Sequence, residues 1–239
     1  MVKLDILVIS SHPDDAELGC GGTIAKHVAM GHAVGIVDLT RGELGTRGTI
    51  ETRKAEAAEA AKILGVKIRE NLGLADGFFK NDEFHQRKII EAVRTFRPEI
   101  VLTNAVKDRH PDHGRAASLV YDACFLAGLR KIETVVDGHP QAPWRPKQVY
   151  HFIQSQPIEP DFIVDVSDYW PVKVAAMKAF KTQFFDPNSR EPETYISKPL
   201  FMEFIEARAK ELGHSIGAQY GEGFTSGASL GVDSLFAFR

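Results

Sequence analysis

Two short clusters carry the residue types that metal-assisted hydrolysis needs: His12-Pro13-Asp14-Asp15-Ala16-Glu17 and His110-Pro111-Asp112-His113. Imidazole and carboxylate are ligands of catalytic zinc, which takes three protein ligands and leaves a fourth position for water. The assignment that draws on both clusters puts His12, Asp15 and His113 on the metal. Asp14 then stays unligated, placed to take a proton as water attacks. His110 precedes His113 by three residues. Asp112 is expected to hold one nitrogen of His110 and keep it protonated, so that the imidazole steadies the oxyanion of a tetrahedral intermediate. Metal, base and oxyanion stabiliser form the set that amide hydrolysis requires. Two histidines with a carboxylate also describe non-haem iron sites, so iron or manganese stands beside zinc. One His-Pro-Asp triplet alone is more often a turn; two of them, each just after a strand, argue for a site.

The clusters lie nearly a hundred residues apart, so the fold must join them. Leu4 to Ser10 is a continuous apolar run suited to a strand buried on both faces. A helix follows over about 18–30, then a strand from Ala33 to Leu39 and a Gly-rich charged loop over 40–48. Helical spacing returns over about 51–64, closed by Gly65, and again at Ile89, Ala92, Val93 and Phe96 before Pro98. Strands are expected at Val66–Leu72 and Glu99–Thr103, and a helix from near His113. Such alternation implies an α/β fold, a mostly parallel sheet with helices on both faces. In the common strand order 3-2-1-4-5, strands one and four are neighbours where the order reverses, and ligands bind there at the carboxyl ends. Both clusters would then face one crevice.

Beyond about residue 130 the pattern breaks at Pro140, Pro143 and Pro146. Further strands are expected at Gln148–Gln154 and Phe162–Val166, and helices around 172–179 and 201–212. The reading is one domain over 1–239, with a core of about 1–130 and an irregular C-terminal extension over 131–239. Its Gly- and Ser-rich tail carries Tyr220, Phe224, Leu235, Phe236 and Phe238, and is expected to pack. A net charge of −3 argues against non-specific nucleic-acid binding. No stretch is long enough to span a bilayer, and the N-terminus lacks signal-peptide features. Cys20 and Cys124 follow no metal spacing and read as reduced, buried thiols, which fits a cytoplasmic protein.

The paired HPDD and HPDH motifs, with Gly21-Gly22-Thr23 after the first, resemble the LmbE/PIG-L family of zinc-dependent N-acetylglucosamine deacetylases. The HPDDAE form, the loop from Thr40 to Thr49 and the Tyr220-Gly221-Glu222-Gly223-Phe224 segment are similar to the branch that serves bacillithiol synthesis. That branch releases acetate from N-acetylglucosaminyl-malate. The resemblance implies a Rossmann-like sheet, a homo-hexamer, and the roles already given to His12, Asp14, Asp15, His110, Asp112 and His113. Ser11 departs from the Ala or Pro usual there, without removing a ligand.

A malyl group has two carboxylates, which arginine grips with parallel hydrogen bonds. Arg53, which the resemblance places at the active-site edge, is the first candidate; Arg41, Arg47 and Arg109 follow, and Tyr195 is a candidate cover. The Gly19–Thr23 stretch lacks dinucleotide-binding spacing and fits close helix packing and room for substrate instead. Two other readings remain: a deacetylase of free N-acetylglucosamine or chitin-derived sugars, and a non-enzymatic metal-binding assembly protein.

Overall fold

Apolar runs become the central strands and Gly- and Pro-marked breaks become the turns. In the computed structural model, residues 2–184 and 186–237 are described. In chain order the elements are β1 (Ile6–Ser10), α1 (Asp15–Ala29), β2 (Val34–Thr40), α2 (Ile50–Leu64), β3 (Ile68–Leu74), α3 (Glu83–Phe96), β4 (Ile100–Thr103) and α4 (Pro111–Ala127). A small hairpin of β5 (Val135–Val136) and β6 (His139–Pro140) follows. The chain then forms β7 (Gln148–Phe152), β8 (Phe162–Asp165), α5 (Trp170–Lys178), α6 (Pro199–Ser215) and β9 (Gly221–Ser226).

One sheet runs β3-β2-β1-β4-β7-β9-β8. Its first five strands are parallel, and β9 lies antiparallel between β7 and β8. Alternate residues of β1 feed opposite faces. Ile6 and Val8 join a cluster with α1, α2, α5 and α6, whereas Leu7 and Ile9 join one with α3 and α4. The mostly parallel α/β sheet expected above is thus observed, covered on both faces. No helix among the described residues is long and apolar enough to cross a membrane.

Two features differ from expectation. The first is β9, formed by the glycine-rich segment whose composition suggests only a tail. Phe224 is buried against the Phe162 ring and Tyr220 stacks on Trp170 at 4.5 Å, so this part packs. Leu235 and Phe236 do not, being 84% and 98% exposed; Phe238 lies outside the described residues.

The second is that α1 is broken at Cys20 (φ −143°, ψ 24°). A side chain on Gly19 would collide with the Phe152 ring of β7, and one on Gly22 would reach 2.8 Å from Val166. The glycines therefore let the broken helix sit against the sheet, the packing role expected of this stretch. At the break, Glu222 of β9 accepts the backbone N–H groups of Gly22 (3.0 Å) and Thr23 (2.7 Å). Lys173 of α5 donates to the carbonyl of Leu18 at 2.8 Å. The two side chains thus satisfy backbone groups that a helix break leaves orphaned inside the protein.

Candidate active site

Strands β1 and β4 pair in parallel register from Ile6 with Ile100 to Ile9 with Thr103. Both clusters therefore leave the sheet at the same end, side by side at the reversal of strand order. His12 and Asp14 lie in the loop after β1 and Asp15 opens α1; His110 caps α4, and Asp112 and His113 lie in its first turn. Ser11 ties the two loops together. Its N–H and hydroxyl both donate to Asn104 Oδ1, and the hydroxyl also lies 3.1 Å from the carbonyl of Asp112.

The two outer histidines are each held from behind by a carboxylate. His12 Nε2 meets Asp76 Oδ1 at 3.0 Å, which leaves Nδ1 facing Asp15 Oδ2 at 3.3 Å. His113 Nδ1 meets Asp108 Oδ2 at 2.7 Å, which leaves Nε2 facing Asp15 Oδ1 at 3.2 Å. Each imidazole keeps one nitrogen for its orienting carboxylate and points the other at the same aspartate. Asp15 is itself fixed by Asn104 (3.1 Å) and Gln154 (2.8 Å). Orienting carboxylates behind ligating histidines are a recurrent device of metal sites. The donor set of His12 Nδ1, His113 Nε2 and Asp15 fits a divalent metal, with the cavity on its open side.

Two further donor groups have their atoms within 4.8 Å of one another: His12 with His110 and His113, and His12 with Asp76 and Asp112. The second lies behind His12, where both carboxylates are already engaged. Asp76 accepts the N–H of Leu44, and Asp112 accepts the N–H of Gly77 and the guanidinium of Arg115.

Charge at the site follows from these contacts. Burial works against protonation of His113, but the Asp15 charge and the bonds to Asp108 and Asp15 raise it to about 9. His12 is also raised well above 6.5, against burial, by its contacts with Asp112, Asp15 and Asp76. A metal entering here displaces protons.

Asp14 is 5% exposed and has φ 120°, a left-handed backbone that a non-glycine residue seldom adopts. Its carboxylate lies 3.2 Å from Arg53 Nη2. Burial, with a smaller contribution from Asp15, pushes it up to about 7 despite Arg53. A buried carboxylate titrating near neutrality is suited to proton transfer.

Asp112 does not hold the His110 imidazole as expected. Its carboxylate turns inward to Gly77 and Arg115 and lies 3.3 Å from His12 Nε2. His110 Nδ1 instead accepts the backbone N–H of Asp112 at 3.2 Å, because His110 is the N-cap of α4 and its side chain satisfies a first-turn amide. Burial, then the His12 and His113 charges, lower the His110 pKa. With Nδ1 accepting that N–H, Nε2 is the ring nitrogen left to donate.

The arginines divide. Arg53 is buried, tied to Pro13 O (2.6 Å), Gly42 O (3.2 Å) and Asp14, and lines the cavity. Arg109 also lines it and lies over the exposed Tyr195 ring at 4.5 Å. Arg47 is not among the cavity residues. It is buried against the 186–191 loop, with Nη2 bonded to Ser189 at 2.6 Å and Nε 3.5 Å from Glu191. Arg41 is exposed beside Gly73 and is not among the cavity residues. Sequence reasoning missed Asp76, Asp108 and Arg208. The first two are acidic residues in loops after β3 and β4, at the sheet's ligand-binding end. Arg208 sits seven residues after Phe201 on the apolar stripe of α6.

The sequence profile of the PIG-L (GlcNAc-PI de-N-acetylase) family matches residues 7–124. The diacetylchitobiose deacetylase of Thermococcus kodakarensis is 30% identical, over 91% of this chain and 81% of its own. A 4-oxalmesaconate hydratase of Pseudomonas putida is 29% identical, over 74% and 73%. The crystal structure of a conserved protein of Thermus thermophilus superposes with a TM-score of 0.85 at 38% identity, covering 96% of this chain and 98% of that one. The chain belongs to the PIG-L family and is an enzyme of the amide-hydrolase class, an N-acetylglucosamine-type deacetylase.

Proposed function

We propose that the chain removes acetate from an N-acetylglucosamine conjugate with an acidic aglycone, N-acetylglucosaminyl-malate in the narrowest form. His12 Nδ1, Asp15 and His113 Nε2 would hold a divalent metal, zinc first, with iron or manganese as alternatives. The metal supplies Lewis acidity to a carbonyl oxygen and lowers the pKa of water. Asp14 takes the proton of the attacking water and returns it to the leaving amine. His110 donates its Nε2 proton in a hydrogen bond to the carbonyl oxygen as negative charge develops there. Arg53 holds Asp14 in its strained position.

The observation that carries this reading is the convergence of two oriented histidines on Asp15, with the perturbed Asp14 beside it and free of that set. A metal store or assembly protein has no use for a buried, strained base next to its donors. The acidic aglycone is supported by the arginines at the cavity and by no carboxylate partner for Arg109 or Arg208 among the described residues.

The test is acetate release from N-acetylglucosaminyl-malate, diacetylchitobiose and free N-acetylglucosamine, with and without chelator, for wild type and Asp14→Asn. Chelator-sensitive release that is fastest on the malate conjugate and collapses in the variant is expected. Faster turnover of the neutral sugars would overturn the acidic aglycone. No acetate from any of them would turn attention to the water-addition chemistry in the name of the Pseudomonas relative.

A further inference from the structure

We infer that Arg208 is the anchor for a carboxylate on the aglycone, and so determines which N-acetylated sugar the enzyme accepts. The inference rests on the deacetylase reading above and adds a residue and a substrate feature to it. Helix α6 presents Phe201, Ile205 and Arg208 to the cavity, at i, i+4 and i+7. One face of a helix carries such a stripe, and a position on it calls for an apolar side chain. Here it holds a guanidinium.

That guanidinium is poorly provided for. Nη1 is buried and has no hydrogen-bond partner among the described residues, and the side chain forms no ion pair there. Its Cζ lies 5.1 Å from the Phe204 ring. Other buried cations have partners: Arg69 has Glu17 and Asp38, Lys173 has Glu222, and Arg94 is held by three carbonyls and Thr134, although Arg47 and Arg53 also keep one unpartnered Nε each. A buried donor on a charged group is costly when left unmade, and such groups are rare without a purpose. The catalytic carboxylates cannot serve it, since Asp15 and Asp108 are fully engaged with histidines and amides. A ligand can.

The cavity holds both the candidate metal donors and this guanidinium. Its lining combines His12, Asp14 and His113 with Ile196, Ile205 and Arg208, and includes the exposed Arg109. A sugar whose acetamide meets the donors would share this cavity with Arg208, which would then be available to its aglycone. A planar fork of donors recognises a carboxylate in two parallel bonds, which a lysine or a neutral side chain does not reproduce.

The test compares two substrates sharing the same sugar: the malate conjugate and the neutral methyl glycoside of N-acetylglucosamine. Arg208→Gln is expected to raise KM for the malate conjugate about tenfold to hundredfold, the range of a lost charge-assisted hydrogen bond, with kcat and the neutral glycoside little changed. Arg208→Lys keeps the charge without the fork and should fall between, and it serves if the glutamine variant does not fold. Equal losses on both substrates, or none on the malate conjugate, would overturn the assignment. If wild type hydrolyses neither substrate, the deacetylase reading fails separately. The anchor is then read by melting temperature: free malate should stabilise wild type and not Arg208→Gln. Stabilisation of both proteins, of neither, or by inorganic phosphate in place of malate would overturn it.

Discussion

Lys173 Nζ and Glu222 Oε1 meet at 2.5 Å inside the break of α1, each 3% exposed, so that one ion pair finishes two helix ends. Their partners divide cleanly. Lys173 takes the Leu18 carbonyl, and Glu222 takes the Gly22 and Thr23 amides. Removing one member leaves the other charge buried, which typically costs about 3–5 kcal/mol. Lys173→Met and Glu222→Gln should each destabilise the protein by about that much, and the double variant by less than their sum. Denaturant titration of the four proteins gives the coupling. Strict additivity would show that the two charges act independently.

Asp14→Asn should lower kcat by about 10²- to 10⁴-fold, the usual worth of a positioned base, while leaving bound metal in place. Asp14→Gly should be inactive yet more stable than Asp14→Asn, which also lacks the charge, because φ 120° costs about 1–3 kcal/mol for a non-glycine residue. Activity assays, metal analysis and melting curves on the same preparations check both. A glycine variant that melts below Asp14→Asn would count against strain at this position.

The same carboxylate has a stability signature in metal-depleted protein. Burial raises its pKa from 3.8 unfolded to about 7 folded, so the folded state binds this proton more tightly. The contribution is fully present below about 4, declines as the unfolded chain ionises and is lost as pH passes about 7. Wild type should therefore lose stability relative to Asp14→Asn across that window. Paired melts at several pH values measure it; a constant difference would contradict the shift.

Asp76→Asn and Asp108→Asn should each weaken metal binding about 10- to 100-fold by loosening the imidazole they orient. Competition against a coloured chelator reads this directly. In wild type, apparent affinity should rise with pH up to about 9, because the His113 proton must leave first. A pH-independent affinity over that range would mean that the imidazoles are already neutral.

Gly19→Ala should destabilise the protein by about 1–3 kcal/mol, the usual cost of overpacking, through its collision with Phe152. Gly19→Ala combined with Phe152→Leu should recover part of the loss. A single variant as stable as wild type would show that the α1–β7 contact can open.

Periodicity made the parallel half of the sheet legible, because buried strands read as unbroken apolar runs and amphipathic helices as spaced ones. Placement of HPDD and HPDH after β1 and β4 followed from topology alone. What stayed hidden depends on side-chain direction or long-range pairing. Asp112 lies one bond pattern away from its expected partner because His110 had to cap α4. Asp76 and Asp108 act from loops whose course no local pattern specifies. β9 is hidden since Gly221 and Gly223 flank Glu222, a composition that reads as a loop. Arg208 is masked because its neighbours on α6 mark the stripe as core.

The helix break also bears on the order in which the chain can mature. The backbone groups of residues 18, 22 and 23 find their partners 155 to 200 positions later in the chain. A nascent chain holding only residues 7–124, the stretch that matches the family profile, has both clusters but an unfinished α1. Contacts of such high sequence separation form late and slow folding. Helix α1, which carries Asp15, thus completes its backbone hydrogen bonds only once α5 and β9 are in place. Synthesis that stalls before Gly221 should yield a protein that carries every candidate ligand yet remains a target for chaperones and proteases.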